Sequence, residues 1–319
     1  MTNVWFLKII MRQKSFWVGL LLVLILLPAI TPEHTIWLAT EAIIFSLFAI
    51  SLNILLGYGG MISFGHAAYF AVGGYACALL LKDAGVPMGL SIFLSPFISA
   101  LIALVFGWFC VRVTHLYFAL LTMAFAQLIW AFVFKSSFTG AQDGIIGIPL
   151  SSTFYSTTNY YYLVLGIVVI SILLITIIVN SPFGQMLKAS RENEQRTRFI
   201  GLNVRWHRLA AFVIAGFFAG LAGALLVLLN RGVFPEIAYW TVSGEVLLMC
   251  LLGGTDFLLG PAVGAWALVF LRKYVTDYIT SWELVLGAIL IFIVLLMPQG
   301  IAGLGNQVVK RTIKMQGSS

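Results

Sequence analysis

The run IWLATEAIIFSLFAISLNILL, residues 36–56, decides the fold. Its only ionisable side chain is Glu41, and its length matches the roughly 20 apolar residues a helix needs to cross the hydrocarbon of a bilayer. Runs of the same kind recur along the chain between short polar breaks. They place nine further spans at Phe16–Ile30, Gly60–Leu81, Gly89–Val111, Leu116–Phe134, Tyr161–Val179, Leu209–Leu229, Val242–Leu252, Gly260–Leu271 and Trp282–Met297. Composition agrees. Of 319 residues 61% are hydrophobic and 9% charged, against roughly 25% charge in a soluble domain. With 18 Lys and Arg, 11 Asp and Glu and 25 Phe, the chain has too little polar side chain to cover a water-facing globule. The expectation is an all-α polytopic membrane bundle of about ten transmembrane helices, one domain over residues 1–319.

The first run follows Lys8, Arg12 and Lys14 like a signal peptide, but no small-x-small cleavage site follows Pro28, so it reads as a retained helix. With the N-terminus cytoplasmic, the inner side collects those three together with Arg112, Lys188, Arg191, Arg196, Arg198, Arg205, Arg208, Lys310, Arg311 and Lys314, 13 of the 18 basic residues. This loop placement explains the formal charge of +7, and no nucleic-acid partner is implied. The stretch Val242–Leu271 is interrupted by Gly253-Gly254-Thr255-Asp256 and Gly260-Pro261. A hairpin and a single broken helix both fit it, and the charge count hardly separates them. Such a break must be buried in protein or line water, because lipid cannot satisfy its backbone groups.

Two connections stand apart. Residues 181–208 hold six basic residues and two glutamates and no membrane-length apolar run. Ser181-Pro182 suits a helix start, Lys188 to Phe199 reads as a polar helix, and Gly201-Leu202-Asn203 supplies a turn before a second short segment, so a helix-turn-helix on the cytoplasmic face is expected. Residues 135–160 form the long external connection, with Gln142 and Asp143 among several glycines, which suits an ordered surface element.

Phosphate-binding, zinc-protease and nucleophile-elbow motifs are all missing from the sequence, and His34, His66, His115 and His207 are far apart. Neither an enzyme nor a metal site is indicated. Cys77, Cys110 and Cys250 lie in apolar runs without ligand spacing and read as packing residues. Among the carboxylates in or near spans, Glu41 and Glu283 lie close enough to helix ends to reach the interface. That leaves Glu245 as the candidate for the translocation path, with a structural hydrogen bond as the competing role. Small residues recur four apart at Ser63, Ala67 and Ala71 and at Gly216, Gly220 and Ala224. These are packing stripes first, although the Gly-rich third span, with Ser63 and His66, also suits a path for solute.

The segment Gly57-Tyr58-Gly59-Gly60-Met61-Ile62-Ser63-Phe64-Gly65-His66-Ala67-Ala68-Tyr69-Phe70 with Gly73-Gly74-Tyr75 closely resembles the M-type (LivM) permeases of branched-chain amino acid ABC importers. Further matches follow in order: Tyr117-Phe118-Ala119, the Thr139-Gly140 to Pro149 loop, Arg191-Glu192-Asn193-Glu194 with Gly201-Leu202-Asn203-Val204, Ala219 to Ala224, Gly260-Pro261 with Gly264-Ala265, and Met297-Pro298-Gln299-Gly300-Ile301. The resemblance implies a multi-pass permease of the bacterial inner membrane. Its implied partners are a second permease, two cytoplasmic ABC ATPase subunits that bind the ATP and Mg, a periplasmic solute-binding protein and an amino-acid solute. No cofactor is implied for this chain. Arg191, Glu192, Asn193, Glu194 and Gly201 fall in the family's coupling loop. Relatives also carry urea or short amides, so leucine, isoleucine and valine are the default solutes. Of the rival classes, an ion-coupled secondary transporter would show matching broken helices in both halves, and the sequence offers one. A channel would need no coupling loop.

Overall fold

The protein is described by a computed structural model covering residues 19, 21–113, 115–276, 284, 287, 300 and 301. Apart from Leu284 and Gly287, the tenth expected span lies outside these residues, as do the six terminal basic residues named above. The helices are α1 (Leu21–Ile30), α2 (Glu33–Asn53), α3 (His66–Lys82), α4 (Met88–Cys110), α5 (His115–Lys135), α6 (Thr157–Asn180), α7 (Pro182–Glu192), α8 (Glu194–Phe199), α9 (Val204–Asn230), α10 (Trp240–Gly253) and α11 (Gly260–Thr276). Among the described residues, five helical stretches are long and apolar enough to cross a membrane: α2 with the turn that follows it, α4, α5, α6 and α9.

The decisive run forms the centre. Every residue of α2 from Leu38 to Asn53 is buried, which accounts for its lack of a polar face: a helix apolar on all sides has no solvent side to display. Around it stand α6, α9, α10 and α11, and α3 meets it where Phe70 stacks on Phe48 and His66 bonds Ser51. The outer helices α4, α5 and α6 bury only part of their surface and expose Leu101, Leu120, Phe132 and Leu173 outward, as a membrane bundle does toward lipid.

Glycine sets the closest approaches. A Cβ on Gly223 of α9 would stand 1.8 Å from the Phe70 carbonyl oxygen of α3, so the two backbones touch there. The stripe Gly216/Gly220 faces α4 instead, where Ser99 donates its hydroxyl to the Tyr69 and Gly216 carbonyls at 2.8 and 2.9 Å. The third-span stripe is shorter than its spacing suggests. Ala67 and Ala71 are buried in α3, whereas Ser63 lies outside any helix, because α3 begins at His66 and not at Gly60. All three cysteines are buried and free.

The interrupted run 242–271 is a hairpin. Gly264 packs on the Met249 carbonyl and Gly260 on the carbonyls of Gly253 and Gly254, the pairing of antiparallel neighbours. The first half has a counterpart that the sequence reading missed. After α2 a π turn at Ile54–Tyr58 leads into non-helical residues 59–65, and the chain re-enters the bundle before α3 starts. The Phe64 amide donates to the Thr122 hydroxyl at 3.2 Å and the Ala67 amide to the Ser243 hydroxyl at 2.8 Å, so the amides at the start of α3 are satisfied by α5 and α10.

Candidate functional site

The two glycine-rich turns meet, and a third element clamps them. A Cβ on Gly57 would lie 2.4 Å from the Thr255 carbonyl oxygen, and the Asn53 side-chain amide donates to the Phe257 carbonyl at 3.4 Å. Gly300 joins the second turn, in contact with Gly253 and Gly254. Onto this junction sits α7. The Arg191 guanidinium donates to the Gly57 carbonyl and lies 3.6 Å from an Asp256 carboxylate oxygen, while the Lys188 ammonium stands 4.7 Å over the Tyr58 ring. Gly60 has φ +65° and leaves room for the Arg191 stem, since a Cβ there would come within 2.8 Å of Arg191 Cγ. One side chain of the loop thus touches both turns.

Within residues 181–208 the local structure differs from the expected polar helix. Pro182 at the first position starts α7, as its fixed φ favours. Asn193 then leaves the helical region at φ −156° and caps a separate α8, accepting from the Arg196 amide at 2.9 Å. Gly201 turns at φ +84°, where a Cβ would meet open space, so its role is conformational. The segment after it is no second short helix. Asn203 caps α9 itself, because the apolar face continues without interruption from Val204 into the span.

Glu194 bridges Arg198 and Arg208, the latter at 2.8 Å. Partial burial alone would raise its pKa, but the two guanidinium groups outweigh burial and hold the carboxyl below its ordinary value. Glu192 is exposed and makes no ion pair among the described residues. Of the five coupling candidates, Arg191 therefore touches both turns, Glu194 ties α8 to α9, Asn193 and Gly201 shape the chain, and Glu192 is exposed.

Ser63 and His66 lie together and fully buried. The His66 ring bonds the Ser51 hydroxyl through Nε2 at 2.8 Å and stacks on Phe48 with centroids 5.3 Å apart, while the Ser63 hydroxyl accepts from the Gly65 amide at 3.3 Å. Glu245 belongs to a different cluster. Arg272 donates to Glu41 at 2.6 Å and lies 3.7 Å from Glu245. Glu41 is buried in the bundle, and the guanidinium from α11 comes to it, a pairing across 231 residues that no sequence spacing signals.

The long connection is ordered by short elements. Two 3-10 turns, Ser137–Thr139 and Ala141–Asp143, carry Gln142 and Asp143 on the exposed side. Strand β1 (Ile145–Ile146) pairs antiparallel with β2 (Gly232–Val233), and Lys82 donates to the Ile146 carbonyl at 3.0 Å. Its last four expected residues are already helical, because α6 begins at Thr157.

The profile of the branched-chain amino acid transport system permease component matches residues 35–295. This chain belongs to that family. It is 28% identical over 318 aligned residues to the high-affinity branched-chain amino acid transport system permease protein LivM of Escherichia coli K12, covering 91% of this chain and 75% of the relative. The LivM of Salmonella typhimurium LT2 is 27% identical with the same coverage. The sister permease LivH of Escherichia coli K12 is 24% identical, covering 81% of this chain and 91% of the relative. No solved structure matches the chain. The matched range takes in both turns, the clamp and the long connection, and the chain is a multi-pass permease component of the branched-chain amino acid ABC transport type.

Proposed function

We propose that this permease forms half of the solute path of a binding-protein-dependent ABC importer for branched-chain amino acids, with ten spans and the N-terminus on the cytoplasmic side of the inner membrane. The observation that carries the reading is the Arg191 clamp, since a loop that only connected two spans would not need to hold the turns of two distant hairpins. In this reading α7 and α8 seat on an ABC ATPase. Closure of the ATPase pair, with ATP and Mg bound there, displaces α7, and Arg191 carries the displacement into α2, α3, α10 and α11 together. A second permease similar to LivH completes the path, and the binding protein delivers solute at the 135–160 side, near Gln142 and Asp143. Ser63 and His66 stand where the chain re-enters the bundle, the part of the path nearest the clamp. Urea or a short amide would travel the same way, so the binding protein sets the solute.

The test is the reconstituted complex. Substituting Glu192 and Gly201 together should lower solute-stimulated ATP hydrolysis while the subunits still copurify. Cysteines placed at 195 and 142 should react from the cytoplasmic and external sides respectively, and the reverse pattern would sink the orientation. Uptake into liposomes charged with ATP should survive an uncoupler. Uptake that vanished with the proton gradient while ATP remained would instead support an ion-coupled carrier.

A further inference from the structure

At the end of the bundle that carries α7 and α8, a cavity of about 310 Å³ opens between the last turn of α4 and the first turn of α9. Arg112, Arg205 and Asn203 line it together with Trp108 and Trp206, and Val111 and Leu209 form an apolar floor. Its charge is one-sided. Neither Arg112 nor Arg205 meets a carboxylate among the described residues, and Glu194, the acidic group engaged by this stretch of chain, is occupied by Arg198 and Arg208. Instead the Arg112 guanidinium lies 5.1 Å over the Trp108 ring, which itself packs 5.5 Å from the Trp206 ring. Two indoles beside two uncompensated cations are the mark of a membrane-water boundary, where the ring is half in hydrocarbon and the cation meets headgroups.

We infer that this cavity binds the phosphate headgroup of an anionic phospholipid in the cytoplasmic leaflet, Arg112 and Arg205 gripping the phosphate and the paired indoles lying beside the glycerol. The outer face of α4 decides for a lipid over a free anion or an acidic protein surface. Leu101, Leu104, Val105 and Trp108 are exposed in succession along α4, and Trp108 lines the cavity, so an apolar face that an acyl chain can follow adjoins the charged site. The positive end of the 27-residue α9, capped by Asn203 beside the cavity, adds to the field. Assignment to the cytoplasmic leaflet rests on the orientation proposed above, whereas the headgroup site itself does not.

The measurement is native mass spectrometry of the full chain in detergent, titrated with phosphatidylglycerol and, in parallel, phosphatidylcholine. The intact protein should retain one phosphatidylglycerol that phosphatidylcholine does not displace. The pair R112Q/R205Q should weaken it roughly 30-fold. Phosphatidylglycerol retained equally by that pair overturns the proposal, as does displacement by millimolar inorganic phosphate, which would make it a free-anion site. If the pair fails to fold, V105W answers in its place: it fills the acyl track without adding a charge beside the cations and should still lower phosphatidylglycerol retention, and unchanged retention overturns the proposal. Detergent makes the measurement blind to orientation, so its failure counts against the site, while the cysteine labelling above tests orientation alone.

Discussion

Two arginines hold this permease together across long sequence distances, and they do it in opposite settings. Arg272 sits in α11 with a buried partner: Glu41 keeps only 9% of its side chain exposed. Arg191 sits on the surface loop, its side chain 42% exposed and that of its partner Asp256 63%. The physical consequence differs. A buried pair is costly to break because one charge is left without water or partner, whereas an exposed pair is worth little and exchanges readily with solvent. The first arrangement suits a fixed brace between α2, α10 and α11, the second a surface contact that adds little stability yet, on the function proposed above, passes a displacement of α7 to both turns.

The contrast breaks first at the brace. Arg272→Gln should destabilise the bundle by about 3–5 kcal/mol, because Glu41 remains buried and unpaired. The double variant with Glu41→Gln should recover most of that, and thermal unfolding in detergent reads both. If the single variant unfolds like the parent, Arg272 is no brace. Gly57→Ala comes next. It forces a Cβ against the Thr255 backbone and should cost about 1–3 kcal/mol, together with the stimulation of ATP hydrolysis by solute.

Arg191→Gln sharpens the comparison. Stability should change by less than about 1 kcal/mol while solute-stimulated ATP hydrolysis falls severalfold, since water can replace the guanidinium at an exposed site but cannot transmit a displacement. A loss of both in proportion would make Arg191 a second brace. Glu245→Gln should preserve most ATP-driven uptake. Arg272 keeps Glu41 as its closer partner, and an amide can still accept its hydrogen bond although it cannot carry a proton.

The smallest effect is the response of α8 to acid. Glu194 has its pKa lowered in the folded chain, so its contribution is complete above pH 4.5, the ordinary carboxylate value, and is lost as the pH falls below that through the folded value. Anisotropy of a fluorophore at Gln195 should fall below pH 4.5 in the parent and stay flat from pH 6 downward in Glu194→Gln.

How much of this was legible beforehand depended on the range of the signal. Apolar runs of bilayer length, the glycines of Gly57–Gly65 and the polar stretch 181–208 are local patterns, and they located the family, the loop and, approximately, the spans that fall among the described residues. The start of α3 was misplaced because Gly60 to Gly65 is apolar enough to read as span, and only the folded backbone, with the Phe64 amide turned to the Thr122 hydroxyl, shows that it is not helical. The coupling candidates were found by resemblance, but which of them touches both turns was not. Arg191, Glu192, Asn193 and Glu194 are neighbours in sequence, and a change of direction at Asn193 sends them to different jobs.

By itself, then, the sequence determined the membrane class, the approximate place of most described spans and the kinship, since each follows from composition or from residues close together in the chain. Tertiary structure alone decided that residues 242–271 form a hairpin, that its turn lies against the turn after α2, that Arg191 holds both, and that Glu41 and Glu245 share Arg272. The reason is common to all four. Lipid supplies no hydrophobic force between one helix and another, so neighbours are selected by backbone contact at glycine and by charge pairs between residues as far as 231 positions apart; the small-residue stripes mark a contact face, but neither they nor the charges name the partner helix.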